Sequence, residues 1–212
     1  MSKCLTIAIA KGYLFKESLK QLKAIGIVFD DDVNWDRRLS ADSTDKSIRV
    51  YQIRPWDVPD YVAGGAADVG IVGHDVLIEN KKDVSQLIDL KFGYCRLVVA
   101  GPKVNCPITY FHGMKVATKY PRSSEIFFRN KGIKAHLIKL YGAIELAPLT
   151  SLSDIVCDLT ATGTTLREND MEEIETIYDT TARLISNNSS LKFKYKKIID
   201  LAHNLTNLPK EK

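Results

Sequence analysis

The sequence predicts an α/β fold with mostly parallel sheet, divided into two lobes. Three observations predict it. Short apolar runs of strand length alternate with helical patterns, the arrangement of βαβ units. Two long β runs, residues 87–101 and 177–187, stand as crossing points between lobes. A length of 212 residues is enough for one large domain or two small lobes with cores of their own. Lobe one then comprises residues 1–92 plus 180–212, and lobe two residues 93–179.

The elements follow in order. "CLTIAIA" (4–10) reads as a buried strand. "YLFKESLKQLKAIGI" (13–27) is a helix with Leu14, Ser18, Leu22 and Ile25 on one face, stopped by Gly26. "SIRVYQI" (47–53) is a strand, and residues 56–73 hold a short helix, a Gly-Gly stop and a strand from Asp68 to Val72. "MKVATKY" (114–120) and "IKAHLIKL" (133–140) are strands flanking a helix stopped by Gly132. "DIVCDLT" is a strand and "TTLREND" opens a helix. "SLKFKYKKIIDLAHNL" (190–205) is a single basic amphipathic helix, with Phe193, Ile198, Leu201 and Leu205 toward one side.

Composition excludes several classes. Hydrophobic residues at 45% and charged residues at 26% are ordinary globular values. A net charge of +4 is too mild for a nucleic-acid coat and suits anionic ligands. Cys4, Cys95, Cys106 and Cys157 form no C-x-x-C pair and no zinc-ligand spacing, so a reduced, cytoplasmic protein is expected. The N-terminal apolar run lacks a signal-peptide pattern. No stretch approaches the roughly 18 apolar residues of a membrane span.

The stretch "CDLTATGTTLREND" (157–170) is richest in chemistry. It lies between a strand and a helix, where the N–H groups of a helix start point at a bound anion. Gly163 allows close approach, and Thr160, Thr162, Thr164 and Thr165 add hydroxyl donors. An ordinary capped turn, with Arg167 and Glu168 as surface residues, explains the local pattern equally well.

Longer stretches carry a resemblance. "DLTATGTTLREN" resembles the 5-phosphoribose loop of the ATP phosphoribosyltransferase family. "IAIAKG", "RPWDVPDYVAGGAADVGIVGHDVL", "KVATKYP", "LIKLYGAIELAPLTSLSDIVCDLTATGTTL" and "TARLISNNSS" are similar to that family's blocks in order and spacing. The resemblance implies a two-lobed, periplasmic-binding-protein-like (type II) fold with a cleft between lobes. It implies transfer of phosphoribose from phosphoribosyl pyrophosphate to N1 of ATP's adenine, the first step of histidine biosynthesis, with Mg2+ riding on pyrophosphate rather than on protein ligands.

On that resemblance, Asp158, Thr160, Ala161, Thr162, Gly163, Thr164 and Thr165 are expected to bind phosphoribosyl pyrophosphate. Lys11, Gly12, Arg37, Arg54, Asp68, Gly70 and Gly73 are expected to bind ATP, and Arg37, Arg54 and Asp158 to be catalytic. For each Arg, surface salt bridging is the competing reading; for Asp158 it is a turn cap. Glu145 is as well explained by a helix-start charge as by a substrate contact. Tyr13 departs from the family, which usually has Arg there. A tyrosine cannot neutralise phosphate, so Lys11, Lys16 or a nearby Arg is expected to compensate.

The chain resembles the family's short form, without the C-terminal regulatory domain of long members. That form implies a regulatory subunit resembling histidyl-tRNA synthetase and a homodimer of catalytic chains, with no nucleic-acid or membrane partner. The competing functions are a non-catalytic two-lobed binder of a nucleotide or solute, a phosphoribosyltransferase of the other major fold, and a nucleotide sensor that has lost catalysis. The second pairs two adjacent acids before its loop, where this chain has only Asp158 after Cys157.

Overall fold

The computed structural model describes residues 4–208, and its contacts divide the chain into two units. Unit 1 takes in the chain up to Gly93 and again from Thr181; unit 2 is Tyr94–Thr180.

Unit 1 is built on β1 (Leu5–Ala10), β2 (Ser40–Asp42), β3 (Ile48–Ile53), β4 (Val69–Gly73), β5 (Ser85–Asp89) and β11 (Ala182–Ser186). The sheet order is β2-β3-β1-β4-β11-β5. β1 runs parallel to β3 and β4, while β11 returns antiparallel between β4 and β5. β1 is apolar at every position but Thr6, as a strand covered on both faces must be. On one face, α1 (Tyr13–Ala24) and α8 (Tyr195–Thr206) bring Phe15, Leu22, Ile198 and Leu201 onto Ile7, Ile9 and Val50. On the other, α2 (Val58–Ala63) and α3 (His74–Glu79) bring Val58, Val62 and Val76 onto Ala8, Ala10 and Val72. Helices on both faces leave the carboxyl ends of β1, β3 and β4 as an open edge, ending at Lys11, Arg54 and His74.

Unit 2 is built on β6 (Cys95–Pro102), β7 (Lys115–Thr118), β8 (His136–Lys139), β9 (Ile155–Thr160) and β10 (Met171–Thr180), in the order β10-β6-β9-β7-β8. β7 is parallel to β8 and β9; β6 is antiparallel to β9 and β10. α4 (Pro121–Asn130) seats Phe128 among Met114, Val116 and Ile155. α5 (Leu146–Leu149) and α6 (Thr164–Glu168) seat Ala147 and Leu166 on the opposite side, against Val98, Ala117 and Val156. No described helix is long and apolar enough to cross a membrane.

Both sheets are mixed rather than mostly parallel. Parallel pairing is confined to β3-β1-β4 and β9-β7-β8, with antiparallel strands beside them. The long run 87–101 is two strands in different sheets. It turns at Lys91 and Gly93, where φ is +63° and +66°, a change that hydrophobicity alone does not mark. The run 177–187 likewise divides at Thr181. The final helix is also two: α7 (Asn188–Phe193) and α8 break at Lys194, where φ is −122°. Phe193 therefore leaves the buried face and is 72% exposed.

Candidate active site

In unit 2 the loop after β9 forms as the sequence suggests. Gly163 takes φ +72° and ψ +6°, the left-handed geometry that Gly adopts without a Cβ penalty, and starts α6. Its N–H donates to Thr160 Oγ1 at 2.8 Å, closing the turn. The Thr162 and Thr164 hydroxyls share a hydrogen bond of 2.9 Å. Thr165 and Ala161 are exposed. The first intrahelical backbone bond of α6 runs from Arg167 N–H to Gly163 C=O, so the N–H groups of Thr164, Thr165 and Leu166 precede the helical ladder.

The sequence pattern places Arg167 on the surface, yet its side chain folds onto the loop. It donates to Thr162 C=O at 3.0 Å and to Thr164 Oγ1 at 3.1 Å. The signal in the sequence is its spacing, three residues beyond Thr164 on one helical face.

Asp158 sits at the carboxyl end of β9, with Leu159 N–H donating to its Oδ1 at 2.8 Å. Its carboxyl is pushed up to about 6, chiefly by burial; the Leu159 N–H opposes the rise, the negative charge of Glu145 adds to it, and the positive charge of Lys119 works against it. Glu145 occupies the N-cap position of α5 and gives no side-chain cap bond. Lys119 directly follows β7, the position that Lys11 holds after β1. Three charges thus meet at the carboxyl edge of this sheet, where parallel strands gather ligands. Next to them, burial pushes the Cys157 thiol up to about 12, too high for a thiolate nucleophile.

In unit 1 the cations divide into two kinds. Arg49 pairs with Asp42, Arg183 with Asp89, and Lys194 with Asp68. The side chains of Lys11, Arg37, Arg38 and Arg54 make no hydrogen bond or ion pair among the described residues, and all four are exposed. Surface salt bridging therefore does not account for them. Lys11 and Arg54 stand at the carboxyl ends of adjacent β1 and β3, and Lys11 N–H donates to Ile53 C=O at 2.7 Å. Gly12 takes φ +99° and ψ −141°, a conformation essentially confined to Gly, and starts α1. Tyr13 follows, 66% exposed. Arg37 and Arg38 lie on the loop before β2, held through N–H bonds to Asn34 C=O.

Two expected ATP contacts are otherwise employed. Asp68 lies at the amino end of β4, away from the carboxyl edge, and is 7% exposed. Its Oδ2 accepts from Thr6 N–H at 2.8 Å and Lys194 Nζ at 2.7 Å, and its Oδ1 from Ser190 Oγ at 2.7 Å. Burial would raise its carboxyl, but these donors outweigh it and hold it below the usual range. Asp68 thus ties β1 and β4 to α7. Gly70 makes room for packing: a Cβ there would lie 2.8 Å from Val62 Cγ2 and 2.9 Å from Val58 Cγ1. Gly73 is at the carboxyl edge, but Asp75 is folded against it where a side chain would stand.

Comparison with known proteins follows the same lines. The family model for HisG, ATP phosphoribosyltransferase, matches residues 54–207. ATP phosphoribosyltransferase of Geobacter metallireducens is 44% identical over 209 residues, covering 97% of this chain and 98% of that one. ATP phosphoribosyltransferase 2 of Geobacter sulfurreducens is 43% identical over 208 residues, covering 97% and 98%. Among solved structures, the ATP phosphoribosyl transferase (HisG:HisZ) complex from Thermotoga maritima superposes with a TM-score of 0.81 at 32% identity, covering 95% of this chain and 96% of that one. The periplasmic aliphatic sulphonate binding protein SsuA from Escherichia coli gives a TM-score of 0.63 at 15% identity, covering 97% and 72%, a likeness of fold alone.

Proposed function

The chain belongs to the ATP phosphoribosyltransferase family, pentosyltransferases of the first step of histidine biosynthesis, and from that premise we propose how its residues divide the reaction. Unit 2 takes phosphoribosyl pyrophosphate and unit 1 takes ATP. The observation that carries this division is the contrast between Asp158, beside the Thr-Gly loop and within the electrostatic reach of Glu145 and Lys119, and Lys11, Arg37 and Arg54 of unit 1, which have no side-chain partner among the described residues.

The 5-phosphate lies on residues 160–165, held by the first N–H groups of α6 and the Thr hydroxyls. Arg167 steadies that loop. A bond forms between adenine N1 and ribose C1 as the C1–O bond to pyrophosphate breaks, and the bonding pair leaves with pyrophosphate. N1 already carries a lone pair, so no base has to deprotonate it. Positive charge develops on the ribose ring, and ionised Asp158 faces it while holding ribose hydroxyls. Arg37 and Arg54 neutralise phosphate charge with guanidinium forks, and Lys11 and Gly12 meet ATP phosphate. Gly73 completes the ATP set; Asp68 and Gly70 are left to the fold.

Mg2+ enters as part of the substrate. It dehydrates reluctantly and favours phosphate oxygens and water over protein cages. The acids beside the loop, Asp158 and Glu145, are too few for such a cage, and no described group of three or more His, Cys, Asp or Glu could hold a metal ion.

The chain works in the cytoplasm as a homodimer joined to a regulatory subunit resembling histidyl-tRNA synthetase. The Thermotoga maritima complex supports a second subunit. The test is pyrophosphate release from ATP, phosphoribosyl pyrophosphate and Mg2+, with and without the synthetase-like subunit of the same organism. Release that requires both substrates supports the proposal. Retention of ATP with no release under either condition would sink the catalytic claim and turn attention to Tyr13 and to the non-catalytic readings, a binder or a nucleotide sensor.

A further inference from the structure

Phosphoribosyl pyrophosphate has two anionic ends, and the loop after β9 accounts for one of them. With the 5-phosphate on residues 160–165 and the ribose hydroxyls on Asp158, the pyrophosphate on C1 still needs a cation. The two acids of this edge, Asp158 and Glu145, repel it. C1 and C5 stand at opposite ends of the ribose, so the pyrophosphate projects away from α6 and over a strand beside β9.

The neighbours of β9 are β6 and β7. On the β6 side Arg96 is committed, donating to both carboxylate oxygens of Glu173 at 2.9 and 3.0 Å. On the β7 side stands Lys119. Thr118 pairs in register with Cys157, so Lys119 follows β7 as Asp158 follows Cys157. Adjacent strands lie about 4.8 Å apart, and their side chains alternate between faces. Ala117 and Val156 face α5 and α6, while Thr118 and Cys157 face α4. Lys119 and Asp158 therefore return together to the side of α5 and α6, where Glu145 and the Thr-Gly loop are.

Lys119 is half-buried and near enough to act on Asp158 by its charge. It does not neutralise the acids by contact. Asp158 takes its hydrogen bond from Leu159 N–H, and neither Asp158 nor Glu145 forms an ion pair among the described residues. A half-buried ammonium beside two acids that it does not pair with suits an anion brought by the substrate. We propose, resting on the substrate placement given above, that Lys119 is a further catalytic residue. Its ammonium meets the C1 pyrophosphate and takes up the negative charge that grows there as the C1–O bond breaks. The bonding pair leaves with pyrophosphate, no proton moves, and Lys119 stays protonated throughout.

The test compares wild type with Lys119→Gln, which removes the charge, and Lys119→Arg, which restores it, all with the synthetase-like subunit present. Lys119→Gln should lower kcat/KM for phosphoribosyl pyrophosphate about 100-fold. It should weaken binding of pyrophosphate with Mg2+ about tenfold, read by calorimetry. Ribose 5-phosphate, which carries no pyrophosphate, should bind as it does to wild type, and Lys119→Arg should recover part of both losses. The binding contrast is read whether or not ATP is turned over, so failure of the catalytic reading and failure of this role are separate results. Equal pyrophosphate affinity in wild type and Lys119→Gln would overturn the proposal. Equal weakening of ribose 5-phosphate would also overturn it, making Lys119 a support of the loop. So would full recovery of Lys119→Gln turnover at higher pH, which would confine Lys119 to keeping Asp158 ionised.

Discussion

Lys194 donates to Asp68 at 2.7 Å, joining residues 126 positions apart in the chain. The bond fastens the segment after α7 to the amino ends of β1 and β4, where Asp68 also accepts from Thr6 and Ser190. Asp68 belongs to the architecture of unit 1 rather than to its substrate edge.

Asp68→Asn should therefore cost stability rather than turnover. It leaves Lys194 opposite a neutral group in a site where Asp68 is 7% exposed, a loss of about 3 kcal/mol. Chemical denaturation checks this, with the KM for ATP unchanged where the variant remains folded. The pH dependence has a definite sign. The folded carboxyl lies below its unfolded value of about 4, so its contribution is complete above that pH and is lost as pH falls through the folded value.

Asp158 behaves in the opposite sense. Its folded carboxyl is pushed up to about 6, against about 4 when unfolded. Between those values the folded chain holds a proton that the unfolded chain has released. Stability from this group is greatest below about pH 4, falls as pH rises to about 6, and is level above that. Asp158→Asn keeps an acceptor for Leu159 N–H and removes the buried charge. At pH 7 the variant should melt higher than wild type yet turn over far more slowly. The gain should vanish below about pH 4. Paired melting curves across pH check this.

Gly163→Ala separates strain from binding. At φ +72° a side chain costs about 1 kcal/mol. The new Cβ would stand 3.0 Å from Arg167 Nη1, the movable end of a long side chain. The expected result is a small fall in melting temperature and a rise of about tenfold or more in KM for phosphoribosyl pyrophosphate, about 1.4 kcal/mol. Displacement of Arg167 from Thr162 and Thr164 accounts for the excess.

Arg54→Gln removes a cation with no protein partner among the described residues. Its melting temperature should hold, while kcat/KM should fall about 100-fold, near 2.7 kcal/mol of transition-state binding. Arg54→Lys should recover only part, because an ammonium lacks the planar fork. Steady-state kinetics with ATP varied reads both.

Much of this was legible because it is local. β1, β9 and the turn at Gly163 follow from apolar runs and from a residue whose missing Cβ the backbone needs. What the sequence left hidden is long-range or irregular. Asp68 looks like a polar strand end with free oxygens until α7 and Lys194 come back to it. Gly70 suggests backbone exposure until Val58 and Val62 fill its space. The run 87–101 reads as one strand because neither Lys91 nor Gly93 breaks an apolar pattern strongly, although together they turn the chain. Arg167 looks like surface because its acceptors, a backbone carbonyl and a Thr hydroxyl, exist only once the loop closes.

The most direct test of the division of labour is the pH profile of pyrophosphate release for wild type and Asp158→Asn, with ATP and phosphoribosyl pyrophosphate well below saturation, where the profile reports the free enzyme. If ionised Asp158 supports the developing charge on ribose, wild-type turnover rises through about pH 6 and levels above it, and the variant is slow and flat across that range. A variant that keeps the wild-type rate, or the same rise near pH 6, would contradict that role for Asp158.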